Sequence, residues 1–184
     1  MRENIIRRIG NSLNAVPGII TRNPDDPGFT RNGVIKTLMI VFLILYLGAL
    51  YSANNAADVS MVRVESSMTS RTNVGSLLKR GRADLKRYYS IDDEAADGYV
   101  FYKAISPMSV NELLIIKARD AAQAEQFLAS VQAHLESQKT IFGGYGTDQM
   151  ALLSRSFTGS KGKYVYYICG PDADTWRDVF MSLI

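Results

Sequence analysis

One run of apolar residues dominates the first third of the chain. It extends over Val34–Tyr51 and is apolar on every side except at Lys36 and Thr37, near its start. Helices of soluble proteins combine an apolar face with a polar one, whereas a transmembrane helix needs about 20 mostly apolar residues. The run therefore predicts a single transmembrane helix over residues 34–51, with the lipid bilayer as its partner.

The charges on either side of this run predict its orientation. Residues 1–36 contain six basic residues. Residues 52–70 contain a single basic residue, Arg63, accompanied by the acidic Asp58 and Glu65. The positive-inside rule places the N-terminus in the cytoplasm and the C-terminal part outside the cell membrane. The alternative is a cleaved signal peptide, but the run is longer than a usual signal core and no clean small-residue cleavage site follows it. An uncleaved signal-anchor is favoured.

The apolar run divides the chain into four segments. Residues 1–33 form a basic cytoplasmic segment, and residues 34–51 form the signal-anchor. Residues 52–72 are small, polar and weakly patterned, which is typical of a stem, and a short strand over Met61–Glu65 is an option within it. The rest of the chain, residues 73–184, is expected to be one extracytoplasmic domain.

Within that domain, runs of β-branched and aromatic residues predict two β-hairpins. Helical spacing of apolar residues predicts a helix before the first hairpin, two between the hairpins and one after the second. Asp120, with Gln123 three residues later, is a capping box for the second of these helices. The predicted strands are Tyr99–Ile105 with Glu112–Arg119 and Ser156–Ser160 with Tyr164–Cys169, and the predicted helices are 73–89, 120–143, 148–154 and 171–183.

Paired strands separated by helices indicate an α+β fold. Antiparallel sheets often expose one face to water. The expectation is therefore a single N-terminal transmembrane helix followed by a two-layer domain, with antiparallel hairpins and helices packed on one face.

Composition removes several classes of function. The formal net charge of +3 belongs to residues 1–36, and the remainder of the chain has equal numbers of acidic and basic residues. Since a nucleic-acid-binding domain needs a basic face of its own, that class is disfavoured. Cys169 is the only cysteine, so neither an intramolecular disulfide nor a cysteine-based zinc site can form.

Few residues suggest catalysis or metal binding. His134 is the only histidine, lies at the edge of an apolar helical stripe and is expected to be structural. Cys169 ends an apolar strand and is expected to be a small buried hydrophobic residue. The acidic residues at 92–94 lack a calcium-loop pattern and are expected to form a solvated turn. No catalytic residue, metal site or cofactor is predicted.

The segment from Glu136 to Tyr145 is the best candidate for binding. It places Glu136 and Gln138 close to the aromatic residues Phe142 and Tyr145, around a helix end at two glycines. Aromatic rings offer contact area and carboxylate or amide groups offer directed hydrogen bonds, which suits a peptide or a sugar. The other interpretation is a helix end packed on the sheet.

Several short stretches resemble the domain of unknown function family 4358, which occurs in bacterial proteins with a lipid or helical anchor. The resemblance spans about residues 85–180 and is carried most specifically by Glu136-Ser-Gln138. It includes none of the anchor, and a membrane helix stands here where lipoprotein relatives have a lipidated cysteine. The family has no established activity, so the resemblance implies no catalytic residue. The other matching stretches are 85–92, 111–118, Lys139 with Phe142 and Tyr145, and 162–167.

These observations lead to three hypotheses. The first is a non-enzymatic accessory or binding module of the bacterial cell envelope, whose extracytoplasmic domain binds a protein or a wall polymer. The second is what the resemblance implies, since relatives are encoded in gene clusters with membrane-bound acyltransferases. It is an accessory to, or weak enzyme in, O-acylation of envelope polysaccharide, using Glu136. The third is a sensor with the domain in the cytoplasm.

Overall fold

The computed structural model describes residues 31–54, 56–144 and 146–184 of the chain, with side chains described only for residues 33–48 within the first range. The chain divides into two units, residues 1–47 and 48–184. Because the described residues begin at residue 31, most of the predicted cytoplasmic segment, residues 1–33, lies outside them.

The predicted apolar run lies in helix α1, Arg31–Asn54. Its described side chains are largely exposed to solvent, including Leu38, Phe42 and Leu45. Across the described parts of the chain, no helix is both long and apolar enough to cross a membrane.

The described residues of the second unit form an α+β domain built on five antiparallel strands. The strands are β1 Leu78–Lys79, β2 Tyr99–Lys103, β3 Glu112–Lys117, β4 Phe157–Lys161 and β5 Tyr164–Cys169, and the helices are α2 Met61–Arg71, α3 Arg82–Tyr89, α4 Ala121–Phe142, α5 Thr147–Ser154 and α6 Ala173–Met181. The strand order in the sheet is β1-β2-β3-β5-β4. Both predicted hairpins, β2–β3 and β4–β5, are therefore confirmed, and they join through the pairing of β3 with β5.

The first face of the sheet is covered by α3, α4 and α5. Because side chains alternate along a strand, Leu114 and Ile116 of β3 point to this face together with Val165 of β5. They meet Leu85 of α3 and Val131 of α4 in one buried cluster. This is the helical layer that the sequence predicts.

The second face is covered as well, by α2 and α6. Leu113 and Ile115 of β3 pack there against Met68 of α2 and against Trp176 and Phe180 of α6. The prediction of helices on one face is therefore wrong, and the domain has three layers. The physical reason is that β3 is apolar at every position from Leu113 to Ile116, as expected of a strand buried on both sides.

Part of the predicted stem belongs to this second layer. Residues 61–71 form a helix and not a strand, with Ser60 accepting a bond from the backbone N–H of Arg63 at its start. Val64 and Met68, four residues apart, lie on one side of this helix and are fully buried. The folded domain consequently begins before residue 73.

The predicted helix over residues 73–89 is shorter than expected. A 3₁₀ turn at Asn73–Ser76 and edge strand β1 precede α3, whose N-cap is Gly81. Glycine is a poor helix former, so Gly75 and Gly81 interrupt the helical pattern at these points. The capping prediction for α4 is confirmed, since Asp120 accepts a 2.8 Å bond from the backbone N–H of Gln123.

Candidate functional site: a buried polar cluster at one end of the sheet

The strand register brings three chemically distinctive side chains together on the first face of the sheet. Lys103 at the end of β2 lies opposite Glu112 at the start of β3, and Glu112 lies opposite Cys169 at the end of β5. Residues directly opposite each other on paired strands project to the same face. Strands β2, β3 and β5 thus place a lysine, a carboxylate and a thiol side by side.

The carboxylate of Glu112 is the centre of a hydrogen-bonded cluster. The Tyr89 hydroxyl, on the last residue of α3, donates a 2.6 Å bond to Oε1. The Lys103 ammonium forms an ion pair with Oε2, and Nε2 of His134 in the middle of α4 lies 3.2 Å from the same oxygen. Both carboxylate oxygens are therefore occupied by groups of the protein itself.

Aromatic rings enclose this cluster. The Lys103 ammonium lies 5.1 Å from the centre of the Tyr88 ring, within the range of a cation–π interaction. The ring centres of His134 and Tyr89 are 4.4 Å apart, and Tyr167 meets His134 edge-on at 5.7 Å. The charges are thus shielded from water by π-systems that can still interact with a cation.

Burial and charge act in opposite directions on Glu112. Burial alone would raise the pKa of its carboxyl, but the hydrogen bond from His134 and the charge of Lys103 outweigh it, so the pKa of Glu112 is lowered. The pKa of Tyr89 is raised well above its usual value, chiefly by burial and then by the neighbouring negative charge of Glu112. Glu112 is therefore a charged acceptor and Tyr89 a neutral donor at neutral pH.

The environment of Cys169 favours the protonated thiol over the thiolate. Burial raises the pKa of its thiol to about 11, although the nearby Tyr167 hydroxyl partly opposes the shift. Since the thiolate is the reactive form of cysteine, a protonated buried thiol is inert. The expectation of Cys169 as a buried small residue agrees with this position.

The arrangement neutralises and orients the buried charges, and both oxygens of the Glu112 carboxylate already have partners within the protein. Glu112 is fully buried, and Lys103 and His134 are nearly so. A general base must reach the proton that it removes from a substrate, whereas each oxygen of this carboxylate already accepts a bond. Among the described residues, no three acidic, histidine or cysteine side chains lie close enough together to hold a metal ion.

A family model covers the five strands of the sheet and the entire polar cluster. The model of a domain of unknown function, DUF4358, matches residues 70–170, more than half of the chain. The chain belongs to this family. The resemblance noted in the sequence is thereby confirmed for the domain, and no curated protein and no solved structure matches the chain.

The matched span has a structural meaning within this DUF4358 member. It contains all five strands together with α3, α4 and α5, which cover the first face of the sheet. It leaves out α6 and nearly all of α2, the two helices that cover the second face. The family pattern therefore corresponds to the sheet plus the layer that encloses Glu112.

The predicted binding residues of the DUF4358 domain separate in the structure. Glu136 lies on the solvent side of α4, with its side chain 70% exposed, and pairs with Lys139 at 2.8 Å. Gln138 is half-buried, while Phe142 is buried in the core of the first face. Tyr145 lies outside the described residues. The binding role of these four residues stays a prediction.

Sequence reasoning missed Glu112, Lys103 and Tyr89 as a group. The sequence predicts that His134 is a structural histidine at the edge of the apolar stripe of its helix. The structure places its ring against the Glu112 carboxylate. The available signal was a lysine and a glutamate flanking one predicted hairpin turn, since opposite charges at such positions can pair across strands. The contribution of Tyr89 required knowledge of how α3 packs on the sheet.

A second set of polar contacts lies at the opposite end of β3. The Lys117 ammonium donates a 2.6 Å bond to Asp58 and lies 2.9 Å from a carboxylate oxygen of Asp97. These hydrogen bonds raise the pKa of Lys117. Beside it is a cavity of about 150 Å³, lined in part by Lys163 and Tyr164. The small volume and the bound carboxylates make this a structural contact point.

Proposed function

We propose that this protein is a non-enzymatic binding or accessory module, tethered to a membrane by α1 and acting in the bacterial cell envelope. The observation that supports the non-enzymatic character is the state of Glu112. Its two oxygens accept bonds from Tyr89, His134 and Lys103 inside the core. The residue types best suited to acid–base chemistry thus stabilise the fold.

The sequence of the apolar run supports the membrane tether. The run extends to Tyr51, beyond the last residue of α1 whose side chain is described. Its described part exposes apolar side chains on all sides and gives the helix no polar face. In water such a helix would leave a large apolar surface uncovered, whereas lipid would cover it. The proposed topology has the N-terminus in the cytoplasm and the domain outside.

The proposed ligand is an envelope protein or a wall polymer, bound at the exposed part of the Glu136 segment. Glu136 and Ile141 of α4 are both accessible to solvent, which provides a carboxylate and an apolar side chain near the same end of one helix. A partner that offers a basic group and an apolar residue would suit these two positions.

Crosslinked capture of the intact protein from its native membranes tests the binding role of Glu136. We expect Glu136→Ala to reduce the yield of a specific crosslinked partner by at least fivefold relative to wild type. Glu125→Ala is the matched control, since Glu125 is an exposed glutamate of the same helix. Equal yields from wild type and both variants would refute the assignment of binding to Glu136.

A further inference from the structure

The segment Ala56–Ser60, which precedes α2, makes specific contacts with the sheet. The fully buried Tyr164 hydroxyl of β5 donates a 2.7 Å bond to the carbonyl of Val59 and accepts a 2.8 Å bond from the N–H of the same residue. One phenol thus satisfies both backbone groups of a residue more than a hundred positions away. Such pairing fixes the backbone of Val59 to the interior of the domain.

Two further contacts hold the same segment. Asp58 pairs with Lys117, whose side chain is largely buried at the end of β3. Gly162, in the turn between β4 and β5, has φ of +56°, and a Cβ there would lie 3.0 Å from the backbone nitrogen of Ala56. Glycine is therefore required on two grounds, the left-handed conformation and the close approach of the chain.

These contacts shorten the connection between the apolar run and the folded domain. A free stem over the 21 predicted residues 52–72 could extend to about 70 Å at the span of an extended chain. With Asp58 and Val59 attached to the sheet, six residues, 52–57, separate them from the apolar run, and six residues of any conformation span at most about 20 Å. Residues 52–54 also belong to α1, which shortens the connection further.

We propose that Ala56–Ser60 is a clasp that limits the reach of the domain, so that its partner is a protein embedded in or bound to the same membrane. The proposal rests on the proposed tether. A polymer strand farther from the bilayer than the connection plus the width of the folded domain would lie beyond reach, whereas the external loops of a membrane protein lie within it. The clasp restricts the domain to partners at the membrane surface.

Hydrogen exchange measured on the full chain in detergent tests the clasp itself. We expect the amide of Val59 to be protected in wild type and to exchange about tenfold faster in Tyr164→Phe, which removes both bonds and keeps the ring. Tyr166→Phe is the control, because Tyr166 lies in the same strand and its hydroxyl faces Gly159. The clasp would be overturned if the Val59 amide of wild type exchanged at the rate of an unstructured peptide. It would also be overturned if this amide exchanged equally fast in the two variants.

Energy transfer to the bilayer tests the limit on reach. A donor dye on Lys163→Cys, an exposed position beside the clasp, is measured against acceptor dye on lipid headgroups in nanodiscs holding the full chain. The buried Cys169 is not expected to react with the dye. Transfer should be strong and should fall at least twofold when 20 Gly-Ser residues are inserted between Asn54 and Ala56. Unchanged transfer would overturn the reach limit, whereas failure of the chain to enter nanodiscs would refute the tether and leave the exchange result intact.

Discussion

At the scale of single residues, the decisive feature is that Glu112 is charged inside the core. A buried ion pair contributes little net stability compared with apolar residues, but removing one partner leaves the other charge buried without a counter-charge. Lys103 would be left in that position, since its ammonium pairs with Glu112 and lies over the Tyr88 ring. The cluster is thus a place where a small chemical change has a large energetic effect.

We predict that Glu112→Gln lowers the free energy of unfolding by about 3 kcal/mol, because the buried Lys103 loses its counter-charge. Urea unfolding of the purified chain at neutral pH measures it. Glu136→Gln, an exposed glutamate, serves as the control and should change stability by less than about 0.5 kcal/mol. A loss below about 1 kcal/mol for Glu112→Gln would mean that Lys103 finds water or another partner.

The same residue predicts a pH dependence. The pKa of Glu112 is lower in the folded protein than its ordinary value of 4.5, so the folded state binds this proton less readily than the unfolded state does. Its contribution to stability is complete above about pH 4.5 and is lost as the pH falls through the folded pKa. Wild type should therefore lose more stability than Glu112→Gln between neutral pH and pH 3. Parallel loss in the two proteins would contradict the assignment.

At the scale of elements, the strands of both hairpins and helix α6 could be predicted from the sequence, whereas helix α2 and the covering of the second face could not. Both hairpins follow from alternating or continuous β-branched and aromatic residues, which reflect local preference. Helix α2 has only two fully buried residues, Val64 and Met68, in a polar stretch. A helix of 11 residues is marginal alone, so its formation depends on contact with the sheet, which the sequence does not display.

Helix α2 provides a prediction that separates a folded layer from a stem. Met68→Ala should cost about 3 kcal/mol of unfolding free energy, since it opens a cavity in a fully packed site. Val62→Ala, on the same helix but 80% exposed, should change stability by less than about 0.5 kcal/mol. Thermal or urea unfolding of the two variants measures the difference. Near-neutral effects at both positions would indicate that α2 detaches from the sheet in solution.

The candidate site shows the same limit of sequence reasoning. Cross-strand register places Lys103 opposite Glu112, and a two-residue slip would separate them. Register depends on the whole set of pairings and on the turn, which are tertiary properties. His134 and Tyr89 come from two helices whose orientation on the sheet is set by packing. The residue types were therefore visible in the sequence, while their convergence was not.

At the scale of the whole molecule, the chain combines an apolar helix with an α+β domain whose sheet is covered on both faces. The proposed tether gives the last prediction. Phe42→Arg combined with Leu45→Arg should move most of the protein from the membrane pellet to the soluble fraction, because a central charge costs about 3 kcal/mol on insertion.

Val62→Arg is the control for this fractionation, since it also adds a positive charge, at an exposed apolar position of α2. It should leave the protein in the membrane pellet after alkaline washing. Retention of the double Arg variant in the pellet would show that α1 does not anchor the chain.

The sheet also separates two groups of buried side chains, one on each of its faces. Among the described residues, every group that bonds to the Glu112 carboxylate lies in the span shared with the family, and none lies in α2 or α6. Exchanging those two helices for another cover, such as a different helix pair or a neighbouring protein, would alter none of these bonds. The buried charge therefore constrains one side of the sheet, whereas apolar packing sets the requirements for a cover on the other side.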